Sequence, residues 1–309
     1  MKDFFERLNV LGRPRRSDII EKDFHLHRLL YQISQDEYLR ENLAFKGGTC
    51  LVKAYTGYYR FSEDIDFTWK DTSIWKGRTP SQTRRLCSRE LDVVLEHLKG
   101  IANDLGLHFS GNKGDKRQVH ISSGGRMAVF FLDYRSEIED RPSRIKAEVN
   151  FVDETQYPLH TKRLSSYVES IDSEEIEFLY EELWEEYTSE IKLVCYDPRD
   201  IYVEKARASM TRKAYKLRDV IDIYYLESRF GYTIPEYQDA IREKVGFMLD
   251  LYKRYKENIE FIEFPAKKVL QSEEVKLLLT TPPPDLEKEI QRIHRQLEKV
   301  REELLGRSS

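Results

Sequence analysis

The sequence predicts a mixture of helices and strands that ends in a sheet, of the α/β or α+β class, followed by a mostly helical C-terminal region. Residues 61–69 alternate apolar and acidic positions, which is the period of a strand. Residues 79–105 repeat apolar side chains at helical spacing. Strand patterns fade after about residue 173, so we expect helices beyond that point.

In the first half, a helix is predicted at 17–33, because its apolar side chains supply an inner face. A short apolar run at 43–45 is broken by glycines, and a second helix is predicted from there to Gly57. After the long helix come three predicted strands, at 119–122, 127–134 and 145–152.

In the second half, an acidic segment at 174–190 is predicted to be helical, and so are 198–230 and 235–258. A triple-proline break precedes an amphipathic helix that begins at about residue 285. Its apolar residues repeat at spacings of four and three, typical of a helix packed on its own domain or of an intermolecular coiled coil. We therefore predict an α/β or α+β domain at 1–165 and a helical domain at 166–309.

The composition is that of a soluble globular protein, with 309 residues, 40% hydrophobic and 34% charged, and a net charge of −4. No stretch approaches the roughly 20 apolar residues that cross a bilayer, and the N-terminus has no signal-like core. We expect a cytoplasmic protein with no membrane partner. The three cysteines have neither disulfide nor zinc spacing.

One segment combines a glycine turn with paired carboxylates. Gly47 and Gly48 stand between the apolar run and the second helix, where backbone N–H groups can approach a phosphate. Asp64 and Asp66 lie two apart on a predicted strand and therefore project from one face. Because paired carboxylates repel each other, a hard cation such as Mg²⁺ suits them.

Together these features resemble the DNA polymerase β-type nucleotidyltransferase superfamily, in which such a turn precedes a strand with two acidic residues. The resemblance implies an α+β catalytic domain, a mixed sheet flanked by helices, followed here by the helical domain. It also implies a third carboxylate on a later strand. Glu148 is the favoured candidate because it lies on the polar face of the strand at 145–152; Asp133, on the preceding strand, is the alternative.

More of the chain is similar to the AbiEii/AbiGii-type toxin nucleotidyltransferases, between about residues 19 and 226. The match rests on 21–23, on 46–49 with 60–66, on 145–151 and on a helical motif at 204–224. In that motif Lys205 and Asp219 are candidate catalytic residues, and Arg212 is a candidate phosphate ligand. Ordinary surface ion pairs are the alternative interpretation of the same helix.

The resemblance implies transfer of a nucleotide from an NTP, with two Mg²⁺ ions (or Mn²⁺) on Asp64, Asp66 and Glu148. The expected phosphate-binding residues are Lys46, Gly47, Gly48, Thr49, Arg60, Ser62 and Arg212. It further implies a toxin with a cognate antitoxin protein, acting on RNA, with tRNA 3′ ends as one candidate, or on protein.

Two other classes of protein remain open from the sequence. A catalytically inactive NTP-binding regulator would keep the same fold. A metal nuclease or a glycosyltransferase would use the paired carboxylates, but would not explain the glycine turn or the helical motif.

Overall fold

The computed structural model describes residues 1–12, 16–171, 173–265, 270 and 272–306. The chain divides into two units. The first unit comprises Met1–Asp153 and Leu159–Tyr196, and the second comprises Glu154–Pro158 and Asp197–Ser309.

A mixed seven-stranded sheet forms the centre of the first unit, in the order β3-β4-β5-β2-β1-β7-β6. The strands are β1 Leu43–Lys46, β2 Asp64–Trp69, β3 Val119–Ser122, β4 Met127–Arg135, β5 Pro142–Asn150, β6 His160–Leu164 and β7 Ile191–Cys195. β2 is parallel to β5 and antiparallel to β1, which is parallel to β7. The expected α+β fold with a mixed sheet is confirmed.

Helices of the first unit precede and follow these strands. They are α1 Lys2–Leu11, α2 Ser17–Gln35, α3 Glu37–Asn42, α4 Gly47–Leu51, α5 Pro80–Asp104, α6 Glu174–Leu179 and α7 Glu181–Thr188. α4 continues into a π-helical turn at Val52–Thr56. The long predicted helix is α5, which begins with a capping box between Thr79 and Gln82. The acidic helix predicted at 174–190 is instead two helices, because the backbone leaves the helical region at Tyr180.

The second unit is helical. Its helices are α8 Pro198–Thr211, α9 Leu217–Phe230, α10 Gln238–Leu251, α11 Lys253–Phe261 and α12 Leu286–Leu304, with a short 3₁₀ helix at Glu273–Leu277. The helices predicted at 198–230 and 235–258 are each divided in two. The apolar stripe of α12 is buried at Leu286, Ile290, Ile293, Leu297 and Val300. This burial supports packing on its own unit rather than a coiled coil.

The division between the units falls later than the sequence boundary between 165 and 166. Residues 191–195 form β7, and Phe45 of β1 pairs with Cys195. The backbone N–H of Tyr196 also donates to the carbonyl of Phe45 at 2.9 Å. The expected loss of strands after residue 173 is therefore wrong for this segment, whose five residues are too few to give a clear pattern.

Across the part of the chain that the structure describes, none of the helices combines the length and apolar character needed to span a bilayer.

Candidate active site

The glycine turn consists of Gly47 and Gly48, the first two residues of α4, which directly follows β1. Gly47 has a φ of +77°, a left-handed conformation that favours glycine. A Cβ atom there would lie only 2.3 Å from Asp66 Oδ2. At Gly48, a Cβ atom would lie 2.6 Å from Arg60 Nη2 and 3.1 Å from Ser62 Oγ. The turn is therefore in close contact with Asp66, Arg60 and Ser62.

Three carboxylates lie on one face of two neighbouring strands. In the parallel pair of β2 and β5, Asp66 is opposite Glu148 and Asp64 is opposite Lys146. Asp64, Asp66 and Glu148 are partly exposed, whereas the alternate residue Ile65 is fully buried. The sheet thus brings together the three carboxylates that the sequence identified as candidate metal ligands.

A lysine that the sequence analysis did not select stands among these carboxylates. Lys146 Nζ lies 3.6 Å from Asp64 Oδ2 and 3.6 Å from Glu148 Oε2. Burial opposes its charge, but Asp64, Asp66 and Glu148 outweigh burial and raise the pKa of Lys146. The signal in the sequence was its position two residues before Glu148, on the same strand face.

The pKa of Asp66 is raised to about 6. Burial is the main cause, and the negative charges of Glu148 and Asp64 add to it, while Lys146 and Lys46 act in the opposite direction. The protein therefore holds Asp66 in an environment that disfavours its charged form unless positive charge is added.

Asp133, the alternative third carboxylate, lies on β4, which β5 separates from β2. It is opposite Arg144, and its carboxylate lies 3.2 Å from that guanidinium group. It also accepts a hydrogen bond from Gln118 Nε2 at 3.0 Å. The geometry favours Glu148, which is the direct neighbour of Asp66.

Several of the predicted phosphate-binding residues have polar groups engaged within the protein. Arg60 Nη1 donates to the carbonyl of Phe61 at 2.8 Å, and the hydroxyl of Ser62 accepts from Thr49 at 2.9 Å. The hydroxyl of Thr49 donates to the carbonyl of Asp64 and is buried. The ammonium group of Lys46 lies 2.6 Å from Asp153 Oδ2, and Tyr196 donates to the same carboxylate at 3.0 Å. Thr49 thus connects the glycine turn to β2, and Lys46 connects it to residues that follow β5 and β7.

A buried ion pair, which the sequence pattern does not reveal, joins α2 to the π-helical turn after α4. Lys53 Nζ, in the π-helical turn, lies 3.1 Å from Asp23 Oδ1 of α2, and both side chains are almost fully buried. Tyr58 and Tyr187 donate to Asp23 at 2.9 and 2.7 Å. Asp23 is part of the 21–23 motif, and its contacts show that it fixes the helix that follows the glycine turn.

The donor set suits a hard divalent cation, because it consists of three carboxylates on one face. As placed, however, no group of three or more His, Cys, Asp or Glu side chains in the described ranges could hold a metal ion. Lys146 stands between two of the three carboxylates. A metal ion on Asp64, Asp66 and Glu148 would therefore require Lys146 to move aside.

In the second unit, α8 and α9 join the side chains of the helical motif. Lys205 Nζ lies 2.9 Å from Asp219 Oδ1 and 2.7 Å from Asp222 Oδ2. Arg212 Nε lies 3.2 Å from Asp219 Oδ2, and both carboxylates are fully buried. Burial raises the pKa of Asp219, but Lys205 and Arg212 together lower it below its ordinary value.

In this network the cations Lys205 and Arg212 face the carboxylates of Asp219 and Asp222. Such a network favours a role in holding α8 against α9.

Comparison with known proteins adds a family and a fold. A family model described as the nucleotidyl transferase AbiEii toxin of a type IV toxin–antitoxin system matches residues 28–302. Among solved structures, MenT4, a nucleotidyltransferase toxin from Mycobacterium tuberculosis, is 21% identical, with 100% of this chain and 99% of that chain covered and a TM-score of 0.51.

JHP933 from Helicobacter pylori is 15% identical, with 91% of each chain covered and a TM-score of 0.43. The comparison with curated proteins found no match. The likeness to MenT4 is a likeness of fold.

Proposed function

Because the chain belongs to the AbiEii family of toxin nucleotidyltransferases, we propose that it transfers a nucleoside monophosphate from an NTP to an acceptor hydroxyl and releases pyrophosphate. The observation that best supports this reaction is the register that sets Asp66 opposite Glu148. The same Asp66 lies so close to Gly47 that a side chain at position 47 would collide with it. The glycines that we propose to bind phosphate therefore lie beside the acidic residues of the sheet.

Asp64, Asp66 and Glu148 would hold two Mg²⁺ ions, with Mn²⁺ as the alternative. When bound, such ions would neutralise negative charge and activate the acceptor hydroxyl. The backbone of Gly47 and Gly48 would bind the β- and γ-phosphates.

Arg60 and Ser62 lie beside Gly48 and would bind the same phosphates. Lys46 and Thr49 would hold the turn in shape through their contacts with Asp153 and Asp64.

We propose that the acceptor is RNA, with tRNA 3′ ends as one candidate, or protein. Membership of a type IV toxin–antitoxin family supports a cognate antitoxin as the partner. We assign the activity to the cytoplasm on the same basis. The catalytic role of Lys205 and Asp219, and phosphate binding by Arg212, stay predictions from the helical motif.

The test is incubation of the full chain with Mg²⁺, α-labelled NTPs and total RNA or protein. We expect label on one acceptor and its loss in Asp64→Asn. Asp104→Asn is the matched control, because Asp104 is exposed at the end of α5. If Asp64→Asn transferred label as well as the wild type, the site assignment would be wrong.

A second candidate function is supported by Lys146. An ammonium group 3.6 Å from two of the three carboxylates could replace a metal permanently, as in an NTP-binding regulator that has lost catalysis. NTP binding and label transfer by the wild type, each measured with and without Mg²⁺, decide between the two functions. In a regulator, NTP binding would be independent of Mg²⁺ in the wild type, whereas in an enzyme Mg²⁺ would be required for transfer.

A further inference from the structure

Two lysines lie beside the carboxylates, and they are held differently. The ammonium group of Lys46, on β1, lies 2.6 Å from Asp153 Oδ2, and only 10% and 1% of these two side chains are exposed. Lys146, on β5, lies 3.6 Å from Asp64 Oδ2 and 3.6 Å from Glu148 Oε2, and 33% of its side chain is exposed. Direct bonds between an ammonium group and a carboxylate are about 2.7–2.9 Å long. Lys46 is therefore fixed by a buried partner, whereas charge holds Lys146 between two carboxylates.

The carboxylates outnumber the cation that stands among them. Asp64, Asp66 and Glu148 are negative when ionised, and Lys146 is positive at neutral pH. The negative charges therefore exceed the positive charge, three to one. Lys146 reduces the repulsion among the carboxylates, but the excess of negative charge still attracts a divalent cation.

Lys146 and such a cation would compete for the same oxygens. The ammonium group lies between Asp64 and Glu148, which are two of the three proposed metal ligands. A cation that binds there needs these oxygens and also repels the ammonium group. Lys146 therefore lowers the affinity of the carboxylates for the ion, without abolishing it.

The Lys146 side chain can leave this position while the sheet stays packed. It is on the partly exposed face of β5, whereas the neighbouring residues Ile145 and Ala147 are buried on the other face. Phe131, which is opposite Lys146 on β4, is also partly exposed. Because a lysine side chain is a flexible stem with a compact charge at its end, its ammonium group can turn away from the carboxylates without moving the backbone.

A nucleotide would bind on the other side of the carboxylates. In the sheet, β1 with the glycine turn is next to β2 on one side, and β5 with Lys146 is next to it on the other. A Cβ atom at Gly47 would lie 2.3 Å from the carboxylate of Asp66, so phosphates bound at the turn would be beside that residue. They would add oxygen ligands for the ion. They would also offer the displaced ammonium group a new anionic partner, since β2 alone separates the two strands.

We propose that Lys146 is a positioning residue that occupies the ion site between Asp64 and Glu148 until a nucleotide binds, and so makes tight binding of the metal depend on the NTP. The inference rests on the proposed binding of NTP and metal at this site. By linkage, the factor by which the nucleotide tightens metal binding equals the factor by which the metal tightens nucleotide binding. Lys146 increases this factor.

Metal binding is measured first without nucleotide, so that the result does not depend on catalysis. The full chain is titrated with Mn²⁺ at about pH 8, where protons compete little with the metal for carboxylates, and the free ion is followed by electron paramagnetic resonance. Lys146→Met should bind Mn²⁺ at least about tenfold more tightly than the wild type, because it removes a positive charge beside the ligands. Lys146→Arg keeps that charge and should bind Mn²⁺ no more tightly than the wild type.

Two controls make the result specific to this position. Lys192→Met removes a lysine on β7 that pairs with Glu190 at 3.1 Å but is 62% exposed, and it should leave Mn²⁺ binding unchanged. Adding Asp64→Asn to Lys146→Met removes one proposed ligand and should cancel the gain in affinity. Thermal unfolding of each variant checks that the fold is intact.

The dependence on nucleotide is measured with α,β-methylene analogues of the NTPs, which resist transfer. Their affinity for the full chain is determined with and without Mn²⁺. The ion should tighten analogue binding by a larger factor in the wild type than in Lys146→Met.

The inference is overturned if Lys146→Met binds Mn²⁺ no more tightly than the wild type, if Lys146→Arg binds it as tightly as Lys146→Met, or if Asp64→Asn leaves the gain intact. Equal tightening of analogue binding in the wild type and in Lys146→Met would also overturn it. Failure of the proposed function has a different signature, because the metal titrations need neither acceptor nor turnover. A wild type that labels no acceptor, although Lys146→Met shows the gain, would reject the transferase and keep the role of Lys146 in ion binding.

Discussion

At the scale of single residues, Asp66 links the chemistry of the site to the stability of the protein. Its pKa is about 6 in the folded chain, above its value of 3.8 in the unfolded chain. The folded state therefore binds this proton more tightly. As pH rises from about 4 to about 6, ionisation of Asp66 favours the unfolded state. The stability lost in this range is not regained at higher pH.

We therefore expect Asp66→Asn to raise the free energy of unfolding of the metal-free protein by about 3 kcal/mol at about pH 7, and by less than about 1 kcal/mol at about pH 4. Urea unfolding in EDTA at the two pH values measures this difference. Adding Mg²⁺ should stabilise only the wild type. A variant less stable than the wild type at both pH values would mean that the folded protein stabilises the Asp66 carboxylate.

The two glycines of the turn should respond differently to alanine. At Gly47 the new Cβ would meet Asp66 Oδ2 at 2.3 Å on a left-handed backbone, so Gly47→Ala should cost about 1–2 kcal/mol and reduce kcat/KM about 100-fold. At Gly48 the nearest atom is the end of the Arg60 side chain, which can shift. Gly48→Ala should lower the free energy of unfolding much less, and equal losses of stability would contradict this explanation.

The candidate site was partly predictable at this scale. Asp64, Asp66 and Glu148 could be selected because a period of two assigns each to a strand face. Lys146 lies on the same face as Glu148, but a strand pattern does not reveal which residue of another strand it opposes. The register between β2 and β5 supplies that information.

At the scale of elements, the junction of α2 with the helix after the glycine turn depends on a buried charge pair. Lys53→Met would leave the carboxylate of Asp23 buried without its cation, which should lower the free energy of unfolding by about 3–5 kcal/mol. The double variant with Asp23→Asn removes both charges and should be more stable than Lys53→Met alone. Urea unfolding measures both.

Lys22→Met is the matched control. The pair between Lys22 and Glu63 spans 3.0 Å but is much more exposed, with 22% and 37% of the two side chains accessible. Its removal should change the free energy of unfolding by less than about 1 kcal/mol. A loss as large as that of Lys53→Met would show that burial does not determine the difference.

The elements that the sequence predicted well are the long or regular ones. α5 has several turns of apolar periodicity and a cap, and the strand predicted at 119–122 is β3 as observed. The helix predicted at 198–230 is divided at 212–216, where neither a proline nor a glycine marks the break. Across this turn α8 packs against α9, and Lys205 contacts Asp219, a pairing that helical periodicity does not reveal.

At the scale of the whole molecule, the boundary of the first unit follows strand pairing rather than composition. β1 has β2 on one side and β7 on the other. A chain of residues 1–196 should therefore fold cooperatively, whereas residues 1–165 should not, because Phe45 would lose the strand that pairs with it. Circular dichroism during urea unfolding distinguishes the two, and a cooperative transition in the shorter chain would contradict the prediction.

The pairing of β1 with β7 also affects when the protein becomes active during its synthesis. The ribosome makes Lys46 and the glycine turn early, but Cys195 emerges about 150 residues later. At about 5–20 residues per second, that delay is roughly 10–30 s. During this interval β1 is an open edge of the nascent chain. A messenger RNA truncated before codon 195 would therefore yield polypeptides in which β1, which leads into the turn at Gly47, lacks its neighbour β7. The complete site can form only late in translation.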